Sequence, residues 1–270
     1  MRRILEKANS EPEKKLAPPR VRPVPAVTRS IAILRLLGAS PSPLGVKAIA
    51  DELDLVPSTC LHILRVLVDE ELLKVDPATK RYSLGPGMLA LARSALKRGG
   101  FNDVVQPYLD DISAKFGVTA MGVEPSGLKH MVVKSLAASE LPISLHVELG
   151  SQFPALISAT GRCVAAFGNF STDELRSGFD SLRWQNPLSF DAWLKEVNTT
   201  RKRGFGVDRG NYIAGVTVIA VPILDSKQHM AFGLAAVGLT DHLNASRVGM
   251  LATELVDAAM ELASRLPSLR

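Results

Sequence analysis

The sequence predicts an α+β protein in two parts. A small N-terminal winged helix-turn-helix comes first, and a linker helix leads to a larger domain of helices around one sheet. Three observations predict this. Pro57–Asp69 reads as an amphipathic helix preceded by a second short helix and a tight turn. Residues 1–100 carry 17 Lys+Arg against 10 Asp+Glu, whereas residues 101–270 carry 15 against 17. Finally, two strongly apolar runs, Val216–Leu224 and Met230–Leu239, lie between segments of helical period.

Residues 1–25 are charged and proline-rich, ending Arg20-Val21-Arg22-Pro23-Val24-Pro25. Such a stretch cannot bury a core, so a disordered basic arm is expected there. Residues 26–85 form the predicted DNA-binding domain. Thr28 is the expected cap of a helix carrying Ile31, Leu34 and Leu37 and stopping at Gly38. A short helix, Val46–Leu53, then turns through Asp54-Leu55-Val56 into the helix at Pro57, since proline suits a first helical turn. Leu61, Leu64 and Val68, with Cys60 and Leu67 beside them, make its apolar face. Ser58, Thr59, His62, Arg65 and Asp69 make the other, where hydroxyls, an imidazole and a guanidinium can meet phosphates and base edges. Leu72–Val75 and Arg81–Leu84 flank Asp76-Pro77-Ala78-Thr79-Lys80 as a hairpin, a wing whose Lys80 and Arg81 can grip a DNA backbone.

Residues 86–100 form the predicted linker. Gly87–Arg98 is its helix, with Met88, Leu91 and Ala95 on one stripe suited to pairing two copies, and Lys97-Arg98-Gly99-Gly100 marks its end. Residues 101–270 form the second domain. Its expected helices are Asp103–Phe116, Ala159–Phe167, Thr172–Phe179, Phe190–Lys202 and Ala245–Leu266, the last with Val248, Leu251, Leu255 and Leu262 inward. Its expected strands are Val118–Val123, His130–Ser135, Ile143–Leu149 and the two long apolar runs.

Composition argues for a globular chain with room for a sizeable core: 46% of residues are hydrophobic and 22% charged. Cys60 and Cys163 match neither a disulfide framework nor a metal spacing, which places the chain by expectation in a reducing cytoplasm. The apolar runs are about half the length of a membrane span, and no apolar signal core is present, so no membrane partner is expected. His62, His130, His146, His229 and His242 are scattered without ligand spacing, so neither a metal nor a cofactor is expected. Gly204–Gly210 only superficially resembles a dinucleotide loop, and no G-x-S-x-G elbow, HExxH or P-loop occurs. An enzyme with a basic helical docking module is the competing class; it needs a nucleophile–base pair, and none is legible.

Ala26-Val27-Thr28-Arg29-Ser30, Ile49-Ala50, Pro57-Ser58-Thr59, Leu64-x-x-Leu67 and Tyr82-x-Leu84-Gly85 together resemble the winged helix of IclR-type transcriptional regulators. The second part resembles that family's GAF-like effector-binding domain through Gly150-x-x-x-Pro154, Ala159-Thr160-Gly161-Arg162, Arg203–Asp208 and Gly215-Val216-x-x-Ile219-Ala220-x-Pro222-Ile223-x-Asp225. The resemblance implies a double-stranded DNA operator, a small organic acid effector, and self-association as a homodimer or dimer of dimers. It implies DNA contacts from Arg29, Ser58, Thr59, His62, Arg65, Lys80 and Arg81, although His62 stands where the family commonly has arginine.

The same resemblance puts the effector at Ala159-Thr160-Gly161, where a helix begins and free N–H groups with the positive dipole end suit a carboxylate. A plain helix start is the alternative. It implies a polar position at Asp208, suited to a ligand hydroxyl unless it is a surface-turn aspartate. Leu145, Phe153, Val218, Ala235 and Val237 fall at or near its wall positions, core packing being the alternative for each. Several relatives carry hydroxyls or a thiol at the last three; three aliphatic side chains here favour a larger, flatter acid, including an aromatic one. Gly210-Asn211 replaces the family's usual acidic pair after Asp208.

Overall fold

The computed structural model describes residues 24–97, 100–139 and 147–265. They divide into two compact units between Arg93 and Ser94. The basic arm expected over 1–25 lies outside them up to residue 23, as do the expected linker end at residues 98 and 99 and Leu145.

The first unit runs α1 (Pro25–Ala39), β1 (Leu44–Gly45), α2 (Val46–Glu52), α3 (Pro57–Asp69), β2 (Leu73–Val75) and β3 (Arg81–Leu84), and α4 (Gly87–Lys97) then spans the division. The strands form an antiparallel sheet in the order β1-β3-β2. Thr28 does not cap α1. The helix starts at Pro25, and the Thr28 hydroxyl in its second turn donates to Val24 O at 3.3 Å. It also continues past Gly38 to Ala39 and buries Ile33 and Leu37, leaving Ile31 exposed. In α3 the buried face is Cys60, Leu64 and Leu67, rotated from the predicted Leu61–Leu64–Val68 line. These side chains meet Ile33, Ile49 and Leu73 in one small core. The rotation still leaves Ser58, His62 and Arg65 exposed.

The second unit runs α5 (Phe101–Phe116), β4 (Thr119–Ser126), β5 (His130–Ala137), β6 (Gln152–Pro154), α6 (Ser158–Phe167), α7 (Thr172–Asp180), α8 (Phe190–Arg203), β7 (Gly206–Arg209), β8 (Val216–Leu224), β9 (Met230–Leu239) and α9 (Ala245–Arg265). The six strands form an antiparallel sheet in the order β6-β5-β4-β9-β8-β7. Period-two alternation sends the side chains of β8 to opposite faces. Ile219, Val221 and Ile223 pack with the Phe101 and Leu109 side chains of α5 and the Leu251 and Leu255 side chains of α9. Val216, Val218 and Ala220 face Ala159 and Cys163 of α6 instead.

Two strands of the sheet, β6 and β7, are not among those expected from the sequence. Of the expected Ile143–Leu149 strand, residues 143–146 lie outside the described residues and residues 147–149 have no strand structure; Gln152–Pro154 pairs with β5. The glycine-rich Gly204–Gly210 stretch contains a strand, β7, paired with β8 from Gly206↔Ala220 to Arg209↔Thr217. Pairing on a sheet edge forms β7 despite the low strand propensity of glycine and aspartate.

Candidate functional site

The first unit presents one polar helix face and one hairpin. Pro57 opens α3 with its fixed backbone angle, so the helix begins at full pitch and Ser58, His62 and Arg65 rise successively on the exposed side. Thr59 lies beside them, half-buried. In the hairpin, the Asp76 carboxylate accepts from Ala78 N (2.8 Å) and Thr79 N (2.9 Å), which closes the turn. Those hydrogen bonds hold the Asp76 carboxyl below its ordinary pKa. Lys80 follows at φ 54°, a left-handed conformation uncommon for lysine. Both Lys80 and Arg81 are exposed, and Arg81 Nη1 also donates to Pro43 O at 3.2 Å, which ties the hairpin base to the chain before β1. Arg29 is exposed on α1.

The second unit contains a cavity of about 120 Å³ between one face of the sheet and the start of α6. Of the residues expected at an effector site, Phe153, Thr160, Asp208, Val218, Ala235 and Val237 line it. Ala159 and Gly161 do not. Ala159 is fully buried with Cys163 between helix and sheet. α6 starts one residue earlier than predicted, so the Gly161 N–H already donates to Ile157 O at 2.8 Å. The helix-start N–H groups without an i−4 partner inside the helix therefore include those of Ser158, Ala159 and Thr160.

Sequence reasoning missed Met121, Met131, Ser158, Tyr212 and Ile213 in the lining. Ser158 is 4% exposed, sits at φ 59°, and its hydroxyl has no hydrogen-bond partner. A buried hydroxyl left unpaired costs about 1–3 kcal/mol, and a left-handed serine adds strain. Both features stand in a mostly aliphatic lining whose other polar residues are Thr160, Asp208 and Tyr212. Thr160 already donates its hydroxyl to Ile157 O at 3.3 Å.

Asp208 is not a surface-turn residue; it is 1% exposed. Its oxygens accept from Asn211 N (2.9 Å) and Tyr212 N (3.3 Å), which fixes the turn that follows β7. Behind it lies Arg162, fully buried, with Nη1 at 3.9 Å from Asp208 Oδ2. Arg162 Nε pairs with Glu196 Oε2 at 2.5 Å, and Nη2 donates to Asn211 Oδ1 at 3.2 Å. The carboxylate therefore borders the cavity held by two backbone N–H groups, with the guanidinium that also pairs with Glu196 lying 3.9 Å away and its Nη1 making no hydrogen bond. Cys163, beneath α6, is fully buried, and desolvation pushes its thiol up to about 12. It is a packing residue with negligible thiolate at neutral pH. Among the described residues no group of His, Cys, Asp or Glu could hold a metal ion, and no helix is long and apolar enough to cross a membrane.

Two family models match this chain. The IclR helix-turn-helix domain covers residues 26–77, and the bacterial transcriptional regulator IclR C-terminal domain covers residues 93–264. The chain belongs to the IclR family. It is similar to the glycerol operon regulatory protein of Streptomyces griseus, 30% identical over 249 residues, or 90% of this chain and 95% of that protein. It is 22% identical over 244 residues to the HTH-type transcriptional repressor AllR of Escherichia coli K12, or 89% of this chain and 90% of that protein. Among solved structures, an IclR transcriptional regulator from Alicyclobacillus acidocaldarius shares the fold with a TM-score of 0.78 at 23% identity, covering 90% of this chain and 99% of that one. An IclR homolog from Microbacterium hydrocarbonoxydans, complexed with 4-hydroxybenzoate, does so with a TM-score of 0.76 at 16% identity, covering 90% and 99%. This IclR-family chain is thus a DNA-binding transcriptional regulator and not an enzyme.

Proposed function

We propose that this regulator reads a double-stranded operator as a homodimer, in the cytoplasm, and that a small aromatic acid held in the cavity of the second unit controls it. Ser58, Thr59, His62 and Arg65 enter the major groove, and Arg29, Lys80 and Arg81 hold the phosphate backbone. Two copies pair through the linker segment 86–100, where Leu89 is 74% and Leu91 58% exposed. Such pairing matches two recognition helices to the half-sites of a pseudo-palindrome. Effector binding then shifts the population of dimer geometries that fit the operator.

The observation that carries the effector reading is the unpaired Ser158 hydroxyl at the start of α6, facing walls of Val218, Ala235 and Val237. An anionic group at the helix start completes that hydroxyl's hydrogen bonding and meets the positive dipole end. The aliphatic walls take a flat apolar body. The 4-hydroxybenzoate complex of the Microbacterium homolog supports this ligand class.

Two measurements test the halves separately. Arg65→Ala should weaken binding to a selected operator by about 1–3 kcal/mol, and Lys80→Ala should lower the slope of log affinity against log salt by about one. Operator affinity unchanged in Arg65→Ala removes that residue from the interface. Ser158→Ala should raise the ligand-free melting temperature, because the unpaired hydroxyl is gone, yet weaken the aromatic acid by about 1 kcal/mol or more. Opposite signs in one variant distinguish a ligand-binding hydroxyl from a packing one; calorimetry reads both.

A further inference from the structure

The cavity is roofed by the connection between β7 and β8. Residues 210–215 carry Tyr212 and Ile213 into its lining, and Gly210 (φ 72°) and Gly215 (φ 77°) stand at the two ends in left-handed backbone. Glycine adopts that conformation without a Cβ penalty. Gly210 N donates to Val216 O at 2.8 Å and Gly215 O accepts from Thr240 N at 2.9 Å, so the two ends are anchored and movement falls to the residues between them. The roof is tied across to the segment between α7 and α8. Asn186 Nδ2 donates to Gly210 O at 2.7 Å, Ala214 N donates to Gln185 Oε1 at 2.7 Å, and Asn186 N donates to Asn211 O at 3.0 Å. Gln185 N to Tyr212 O at 3.3 Å and Asn211 Nδ2 to Asn186 O at 3.4 Å complete the set.

The two sides of this latch differ in cost. Gln185 and Asn186 are exposed, so the Gln185 Oε1 bond can be exchanged for water with little net loss, while the Asn186 Nδ2–Gly210 O bond is partly buried. The roof is held from beneath by Asp208 and Arg162, both buried, through Asn211 and Tyr212. A segment with two anchored glycine ends, a firm inner anchor and a partly water-exchangeable outer tie opens between those ends as a flap hinged on the Asp208 side.

We infer that Gln185 and Asn186 are positioning residues of the effector site, latching residues 210–215 as a lid over the cavity, and that ligands enter and leave when this latch opens. The inference rests on the reading of the cavity as the effector site, but its test needs no effector. Val218→Cys in the full-length chain places a thiol in the cavity wall. Its modification by methyl methanethiosulfonate, followed by peptide mass spectrometry, reports how often the lid opens.

With the latch intact, that thiol should react far more slowly than an exposed one. Adding Gln185→Ala and Asn186→Ala, which removes two side-chain ties, should raise its rate about tenfold. Gln185→Glu alone, which keeps an acceptor for Ala214 N, should leave the rate near that of the parent. A parent rate equal to that of a surface thiol overturns the inference, as does a rate unchanged by the double substitution. A parallel rise at the buried Cys60 and Cys163 also overturns it, because the variant would then have loosened the whole fold. Failure here leaves the ligand reading standing, whereas failure of every organic acid to bind would strike that reading and leave the labelling result intact.

Discussion

Arg162→Leu lowers the stability of the second unit by about 3–5 kcal/mol, the cost of leaving one partner of a buried pair behind. The substitution leaves Asp208, 1% exposed, without the buried guanidinium beside it, and takes away a donor to Asn211 and the charge that meets Glu196. Urea unfolding followed by tryptophan emission measures the loss. The chain's two tryptophans, Trp184 and Trp193, both lie in the second unit, packed around Phe179. Combining Arg162→Leu with Asp208→Asn should recover part of the loss, because the amide carries no charge to strand. Equal stability of wild type and Arg162→Leu would mean that Asp208 needs no cation, and the description of the site's polar centre would be wrong.

Gly161→Ala is the second large effect, and it acts through space. A Cβ at this position would stand 1.9 Å from the Leu156 carbonyl carbon and 2.6 Å from Leu156 Cα, backbone atoms that cannot rotate away. The start of α6 has to move off the chain that precedes it, at a cost of about 3 kcal/mol or more. Ser158 and Thr160 move with it, so ligand binding should fail before folding does. Gly249→Ala on α9 is the control. Nothing lies within 4 Å of its Cβ, and a helical alanine there should add up to about 1 kcal/mol of stability. If the two alanines behave alike in thermal unfolding, the close approach of α6 to Leu156 is not real.

Much of this was legible because one physical signal dominated locally. Pro57 and the period of α3 marked that helix to the residue, since a fixed φ and an apolar stripe agree there. The β8 and β9 runs were long enough for apolar content alone to reveal them. The misreadings came where two signals competed. Thr28 looked like a cap, but Pro25 had already started the helix three residues earlier. β1 has two residues, too few for any period to show, and exists only because β3 offers it a partner at Leu44↔Tyr82.

The candidate effector site was half legible for a similar reason. Wall positions such as Val218, Ala235 and Val237 follow strand alternation, so locating the strands located them. Ser158 and Arg162 did not follow from any local pattern. Ser158 matters because its hydroxyl lacks a partner, a property of its surroundings. Arg162 is buried against Glu196 and Asp208, 34 and 46 positions away, where polarity alone would have placed it on the surface. Its place in the Ala159-Thr160-Gly161-Arg162 motif was the available clue.

Under the proposed function, occupancy of the second unit's cavity governs how tightly the first unit holds DNA. Anisotropy of a duplex selected by the protein from a random pool, titrated with benzoate, 4-hydroxybenzoate and two- to three-carbon keto acids, tests it most directly. An aromatic acid should change DNA affinity by about tenfold, a coupling of ordinary size, and Ser158→Ala should blunt that change. An affinity that none of these acids alters, or that only the keto acids alter, would contradict the account.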